Sequence, residues 1–266
     1  MMESNILFIV EGSKCEPNFF EQLAKMFDLK FEIYCLETNI YFLYKKMKEI
    51  DFNGDIKDIL LEIHPEKQDI LSKKFAYTYL IFDCDAHHSE KNEKLEIEKI
   101  ILNNLDKLNE MSQYFVDETD PSIGKLYINY PMMESYRDCD DFFEEKYSLA
   151  QISINEIPYY KSRVALKKLC NKHINKYTKI NFLLLILQNL YKLNYILSKS
   201  WQKPTYIEYL QYSNSTNILS QERNLVLKEK IISILNTSLF MITDYFGNKN
   251  KFYDNLIVNS LLITNK

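Results

Sequence analysis

Glu11-Gly12, Asp83-Cys84-Asp85 and Glu134 each follow closely on an apolar run. A carboxylate can move a proton or hold a cation. Carboxylates brought together raise one another's pKa and call for a counter-charge. Mg²⁺ or Mn²⁺ answers that need, because hard cations prefer carboxylate oxygens and keep several waters. If the backbone stays extended through 83–85, the two aspartates point the same way and serve one ion. Gly12 is expected to let the chain turn sharply after the first run. Taken singly these signals are weak, since an acid after a strand is often only a helix cap. Their joint order is what points to chemistry.

That order matters because of the elements that carry it. The run at 6–10 (ILFIV) has the pattern of a strand buried on both faces. Pro17 suits a first helical turn, and Phe19, Phe20, Leu23, Met26 and Phe27 recur with helical spacing. A strand is expected over 31–36, a helix over 40–50, and a polar connection with a short helix over 52–74. Strands follow at 76–82 and 126–130, separated by a helix over 90–111 with Leu95, Ile101, Leu105 and Leu108 inward. This alternation predicts an α/β fold, a Rossmann-like parallel four-stranded sheet flanked by helices. In such sheets ligands bind beyond the carboxyl ends of the strands. Glu11, Asp83, Asp85 and Glu134 are therefore expected at one edge.

Beyond residue 141 the periodicity predicts helices only, over 141–149, 161–176, 181–199, 204–211, 220–245 and 252–262. The expected division is a catalytic domain over 1–150 and a basic all-α domain over 151–266. Residues 156–266 carry 16 Lys/Arg against 6 Asp/Glu, and the first 155 hold the remaining 17 against 31. The two parts thus stand at +10 and −14 within a total of −4. Such asymmetry suggests a polyanion partner, or two solvated parts of opposite sign. At about 100° per residue, Lys161, Lys168, Lys172, Lys176 and Lys179 fall within roughly 80° of a helical wheel, a ridge suited to phosphate contact. Lys14 and Lys125 are further candidates for nucleic-acid contact. His87 and His88 could donate to a phosphate, and Tyr191, Tyr195, Trp201, Tyr206, Tyr209 and Tyr212 could stack on bases. Leu225, Ile232, Leu235, Leu239, Ile242 and Phe246 read as core or as an oligomer interface.

The opening ILFIVEGSKCEPNFFEQL, the strand YLIFDCDAHH and the later YINYPMMES together resemble the Toprim domain of topoisomerases, primases and several nucleases. They also look like the corresponding segments of the RloB-like and OLD-type (overcoming lysogenization defect) Toprim proteins of phage defence. Glu16 and Phe20 match the opening of those proteins, while Cys15 stands where they carry Thr. The resemblance covers about residues 5–145 and implies a Toprim-like sheet. It implies Glu11 as metal ligand or general acid/base, Asp83 and Asp85 as metal ligands, and Glu16 and Glu134 as candidates for a second ion. The implied activity is Mg²⁺- or Mn²⁺-assisted hydrolysis of DNA or RNA, tRNA included, by the toxic effector of an anti-phage system.

Several classes are disfavoured. Five scattered Cys without CxxC spacing argue against a disulfide framework or zinc knuckle. With no GxxxxGK[ST], ATP-driven sensing would fall to a separate ATPase partner. The apolar run at 182–187 is too short and too polar to span a bilayer, and the start lacks a signal-peptide pattern, so a cytoplasmic protein without membrane contact is expected. A homo-oligomer is compatible with the apolar stripe. The competing readings are a non-catalytic Toprim-fold nucleic-acid-binding or regulatory subunit, and a hydrolase of small phosphates.

Overall fold

The structure, a computed structural model, describes residues 5–89, 95–247 and 251–256. Strand β1 (Asn5–Val10) leads through the loop that holds Glu11 into α1 (Cys15–Phe27) and back to β2 (Lys30–Cys35). Helices α2 (Ile40–Glu49), α3 (Ile56–Ile63) and α4 (Gln68–Leu71) precede β3 (Tyr77–Asp83). Then come α5 (Ile97–Tyr114), the two-residue β4 (Val116–Asp117) and β5 (Gly124–Asn129). The sheet order is β2-β1-β3-β5-β4. The first four strands are parallel, as expected, and β4 adds an antiparallel edge too short to leave a periodic signal. Residues 90–94 of the expected 90–111 helix lie outside the described residues. Leu95 precedes α5 and is exposed, whereas Ile101, Leu105 and Leu108 are buried.

Register explains the layers. Phe8 pairs with Tyr79, and Tyr79 with Lys125, so these side chains share one face with Tyr127. Phe8 stacks on Phe20 of α1 at 5.0 Å. On the opposite face Tyr34 donates to the Leu60 carbonyl of α3.

The remainder is helical for the most part but not all-α. It contains β6 (Gln151–Ser153), α6 (Tyr160–Val164), α7 (Lys179–Ser198), α8 (Tyr206–Tyr212), α9 (Ser215–Glu229), β7 (Ile231–Ser233) and α10 (Phe240–Phe246). Strands β6 and β7 pair antiparallel. The expected 220–245 helix is broken by β7, where Ile231 and Ile232 have the β-branched chemistry of a strand. The expected 141–149 helix is only a 3-10 turn at Glu145–Leu149. The expected 161–176 helix is α6 followed by two 3-10 turns, Leu169–Asn171 and Ile174–Lys176. The lysine ridge therefore does not exist as one helical face, and Leu166, in the same segment, is 85% exposed. Residues 257–262 of the last expected helix lie outside the described residues.

One hydrophobic core runs from Ile6 to Leu256 without a break near residue 150. Ile232, Leu235, Leu239 and Ile242 are buried in it, so most of the apolar stripe is core. By length and composition α7 could cross a bilayer, but 67% of its apolar window is buried inside the molecule. Its polar side chains hold the core together. Gln188 accepts from the Glu144 amide, Asn189 from the Asn236 amide, and Lys192 donates to the carbonyls of Ser148 and Ala150.

Asp244 of α10 fastens the helical part to the sheet. Its carboxylate accepts from Lys125 at 2.5 Å, from the Tyr127 hydroxyl and from the Tyr209 hydroxyl at 2.7 Å. Asp244→Ala takes their shared acceptor from the largely buried Lys125 ammonium, left with Glu118 at 3.8 Å, and from two phenols, of which Tyr209 keeps the Phe240 carbonyl at 3.3 Å. It should cost about 3–5 kcal/mol and lower the melting temperature by about 10 °C, measured by thermal unfolding in circular dichroism. An unchanged melting temperature would show that this junction carries little of the stability.

Candidate functional site

Parallel pairing sets the carboxyl ends of β1, β3 and β5 side by side, with Asp83 opposite Asn129. Glu11 follows β1, Asp83 ends β3, and Glu134 sits in a 3-10 turn, Met133–Arg137, just past β5. The Asp83 amide donates to Glu11 Oε2 at 3.4 Å. Asp83 Oδ1 accepts from the Met133 amide at 2.6 Å, so this aspartate also caps the turn that carries Glu134. Five acids separated by more than a hundred residues in sequence thus interact: Glu11, Glu16, Asp83, Asp85 and Glu134.

One local expectation fails. The extended backbone stops at Asp83, and Asp85 has φ +35°, a left-handed conformation that costs a non-glycine residue about 1–3 kcal/mol. Asp83 and Asp85 therefore do not share a direction through strand alternation; a kink brings Asp85 back towards the cluster. Gly12 does not have positive φ. Its small size instead makes room for Glu16, whose Oε2 lies 2.7 Å from where a Cβ would be. Cys84, as its type suggests, is wholly buried.

Electrostatics follow from burial. Desolvation, and then the Asp85 charge, push Glu11 up to about 8. Burial, then Glu11 and Asp85, hold Asp83 well above the usual carboxylate range. Glu16 and Asp85 are also raised, burial being the main cause in each. Asp85 Oδ1 and Glu134 Oε2 are buried with no hydrogen-bond partner. The donor set is thus all carboxylate and includes two oxygens with spare capacity, which suits a hard divalent ion. The side chains as placed do not yet close on one point: among the described residues, no three His, Cys, Asp or Glu groups are arranged to hold a metal.

Basic residues divide sharply by location. Lys161 Nζ lies 3.5 Å from Glu134 Oε1 with its side chain 66% exposed, at the rim of the acids. It is held near them because buried Asp138 anchors its segment through Arg163 at 3.5 Å and Lys167 at 3.8 Å. Lys125 lies apart from the acids. It starts β5, away from the strand ends that bear the acids, and is bound by Asp244 and, at 3.8 Å, Glu118. Lys14, Lys168, Lys172 and Lys176 are exposed. Lys172 joins Arg137 and His173 around a cavity of about 170 Å³ that reaches Glu134, and Arg137 Nε is buried without a partner. Sequence reading missed Arg137, although it follows Glu134 by three residues. It also missed Asp138, whose role depends on long-range pairing.

The aromatic residues proposed for stacking mostly satisfy one another. Tyr191 meets Trp201 at 5.2 Å, and Tyr209, wholly buried, meets Tyr253 at 5.4 Å. No family model, curated protein or solved structure matches this chain.

Proposed function

We propose that this chain is a Toprim-type, divalent-metal-dependent phosphodiesterase that cleaves DNA or RNA. What carries the reading is the meeting of Glu11, Asp83 and Asp85 at adjacent strand ends with Glu16 of α1 and Glu134 of the turn past β5, with two buried oxygens left unpartnered. Lys161 supplies one positive charge at the rim, which is too little to balance five carboxylates. Glu11, Asp83 and Asp85 would hold Mg²⁺ or Mn²⁺, and Glu16 and Glu134 would extend the set to a second ion. When bound, such an ion supplies Lewis-acid activation of water and of the scissile phosphate.

The chain's own groups do the rest. Where Asp83 and Asp85 take the ion without it, Glu11, which burial and the Asp85 charge raise to about 8 in the metal-free chain, is suited to take a proton from the attacking water and to deliver one to the leaving oxygen. Lys161 stands where it can meet a phosphate oxygen, and Arg137 with Lys172 can orient the next one. The acidic and basic parts of the chain meet at this centre, consistent with a polyanionic substrate. The resemblance to phage-defence proteins supports a role as a cytoplasmic toxic effector working with a separate ATPase.

The test is incubation of supercoiled plasmid and of tRNA with the protein in Mg²⁺, in Mn²⁺ and in EDTA. Cleavage of either substrate with metal and not with EDTA is expected. Intact substrates in all three conditions reject the reading.

Two features favour a second reading, a non-catalytic Toprim-like binding or regulatory subunit. The acids do not close on a point, and Lys161 already pairs with Glu134. That reading expects Asp83→Ala to retain full function in cells and Mn²⁺ to give no thermal shift.

A further inference from the structure

A second cavity, of about 380 Å³, opens between α2, α5 and the loop that follows Asp85. Its volume lies in the range of small-ligand sites, about 300–1,000 Å³. Tyr41 and His88 line it as a parallel ring pair, with centroids 5.4 Å apart and planes within 5°. Lys45, Lys48 and Lys107 complete its wall together with Asn104, Tyr44 and one acid, Glu49. Lys48 is paired with Glu110, and Lys107 donates to Asn104 while lying 5.8 Å from the Tyr41 ring centre. Lys45 is exposed.

This wall is built onto the acidic centre. The Tyr41 hydroxyl donates to the carbonyl of Cys84 at 2.5 Å, between the two aspartates. Buried Asn104 donates to the carbonyls of Ala86 at 2.9 Å and His88 at 2.7 Å. The His88 amide in turn donates to the Asp85 carbonyl at 2.8 Å. One short loop therefore carries Asp85 towards the carboxylates and the His88 ring towards the cavity. Aromatic surface beside ammonium groups is the chemistry that receives a base and its phosphate.

We propose that this cavity is a subsite for one nucleotide of a single-stranded nucleic acid, with the base against the His88 ring, itself backed by buried Tyr41, and the phosphate against Lys45 and Lys107. The proposal rests on the phosphodiesterase reading for its meaning but is tested apart from catalysis. A short fluorescein-labelled single-stranded oligonucleotide is titrated with the full chain in EDTA at low salt, read by fluorescence anisotropy. The double variant Lys45→Glu/Lys107→Glu should bind about tenfold more weakly or worse. His88→Ala should lose about fivefold or more, as expected for one stacked base. An abasic oligonucleotide should bind wild type correspondingly less well, a measurement that needs no variant.

Wild-type affinity in the variants, or equal affinity for the abasic strand, overturns the proposal. Displacement of the strand by a free mononucleotide at comparable concentration also overturns it, in favour of a small-nucleotide site. Normal binding by the cavity variants alongside a dead Glu11→Gln would sink the subsite and leave the acidic centre standing. Cavity-dependent binding without any cleavage would do the reverse.

Discussion

Glu11→Gln should reduce metal-dependent cleavage by about a thousandfold, within the range for loss of a general acid/base. Glutamine keeps the size of the side chain and an oxygen to accept from the Asp83 amide, so the local fold is retained. What disappears is the titrating group and one anionic donor. The protein should remain folded, with a melting temperature at or above that of wild type, because a buried carboxylate beside Asp85 is no longer forced to ionise. Glu16→Gln should cost less, about tenfold, since Glu16 stands in α1 over Gly12 and not at a strand end. Cleavage rates measured at saturating Mg²⁺ decide the matter. A Glu11→Gln protein as active as wild type removes the chemical role assigned to this residue.

The metal-free protein should lose stability as pH rises, and a divalent ion should restore it. Glu11 has an ordinary value of 4.5 and a folded value of about 8, so between these the folded state binds more protons than the unfolded one. The stabilisation is complete below about 4.5 and is lost as pH climbs through 8. Asp83 and Asp85 are raised as well and act in the same direction. In EDTA the melting temperature should therefore fall between about pH 5 and 8. Mn²⁺ at about a hundred times its dissociation constant should add about 2.7 kcal/mol, or about 5–10 °C, most strongly at the alkaline end. Glu11→Gln should flatten the pH slope and shrink the Mn²⁺ shift. A wild-type protein indifferent to Mn²⁺ at every pH would favour the non-catalytic reading, with Lys161 as a structural counter-ion.

Both results concern residues that could be found by reading along the chain. Short apolar runs ending in acids mark β1, β3 and β5, because a strand buried on both faces must be apolar throughout and must end where polar residues begin. Strand–helix alternation then places Glu11, Asp83 and Glu134 at neighbouring ends, since parallel crossovers return each strand in the same direction. The kink at Asp85 was not legible, because nothing in DCDAHH announces a left-handed aspartate. Nor was the break at 231–233, where apolar spacing suits a helix and pairing with β6 prevails.

The charged residues separate the two kinds of information most clearly. Composition and spacing establish the parallel core, the acids at its carboxyl edge and a basic second part, because these follow from patterns within a few residues. They do not say which lysine meets which acid. Lys125 is neutralised by Asp244 from 119 residues away, whereas Lys161 is carried to Glu134 by the anchoring of its segment on Asp138. Such pairings depend on how helices and loops pack over the sheet, and a charge has no periodicity from which its partner can be read.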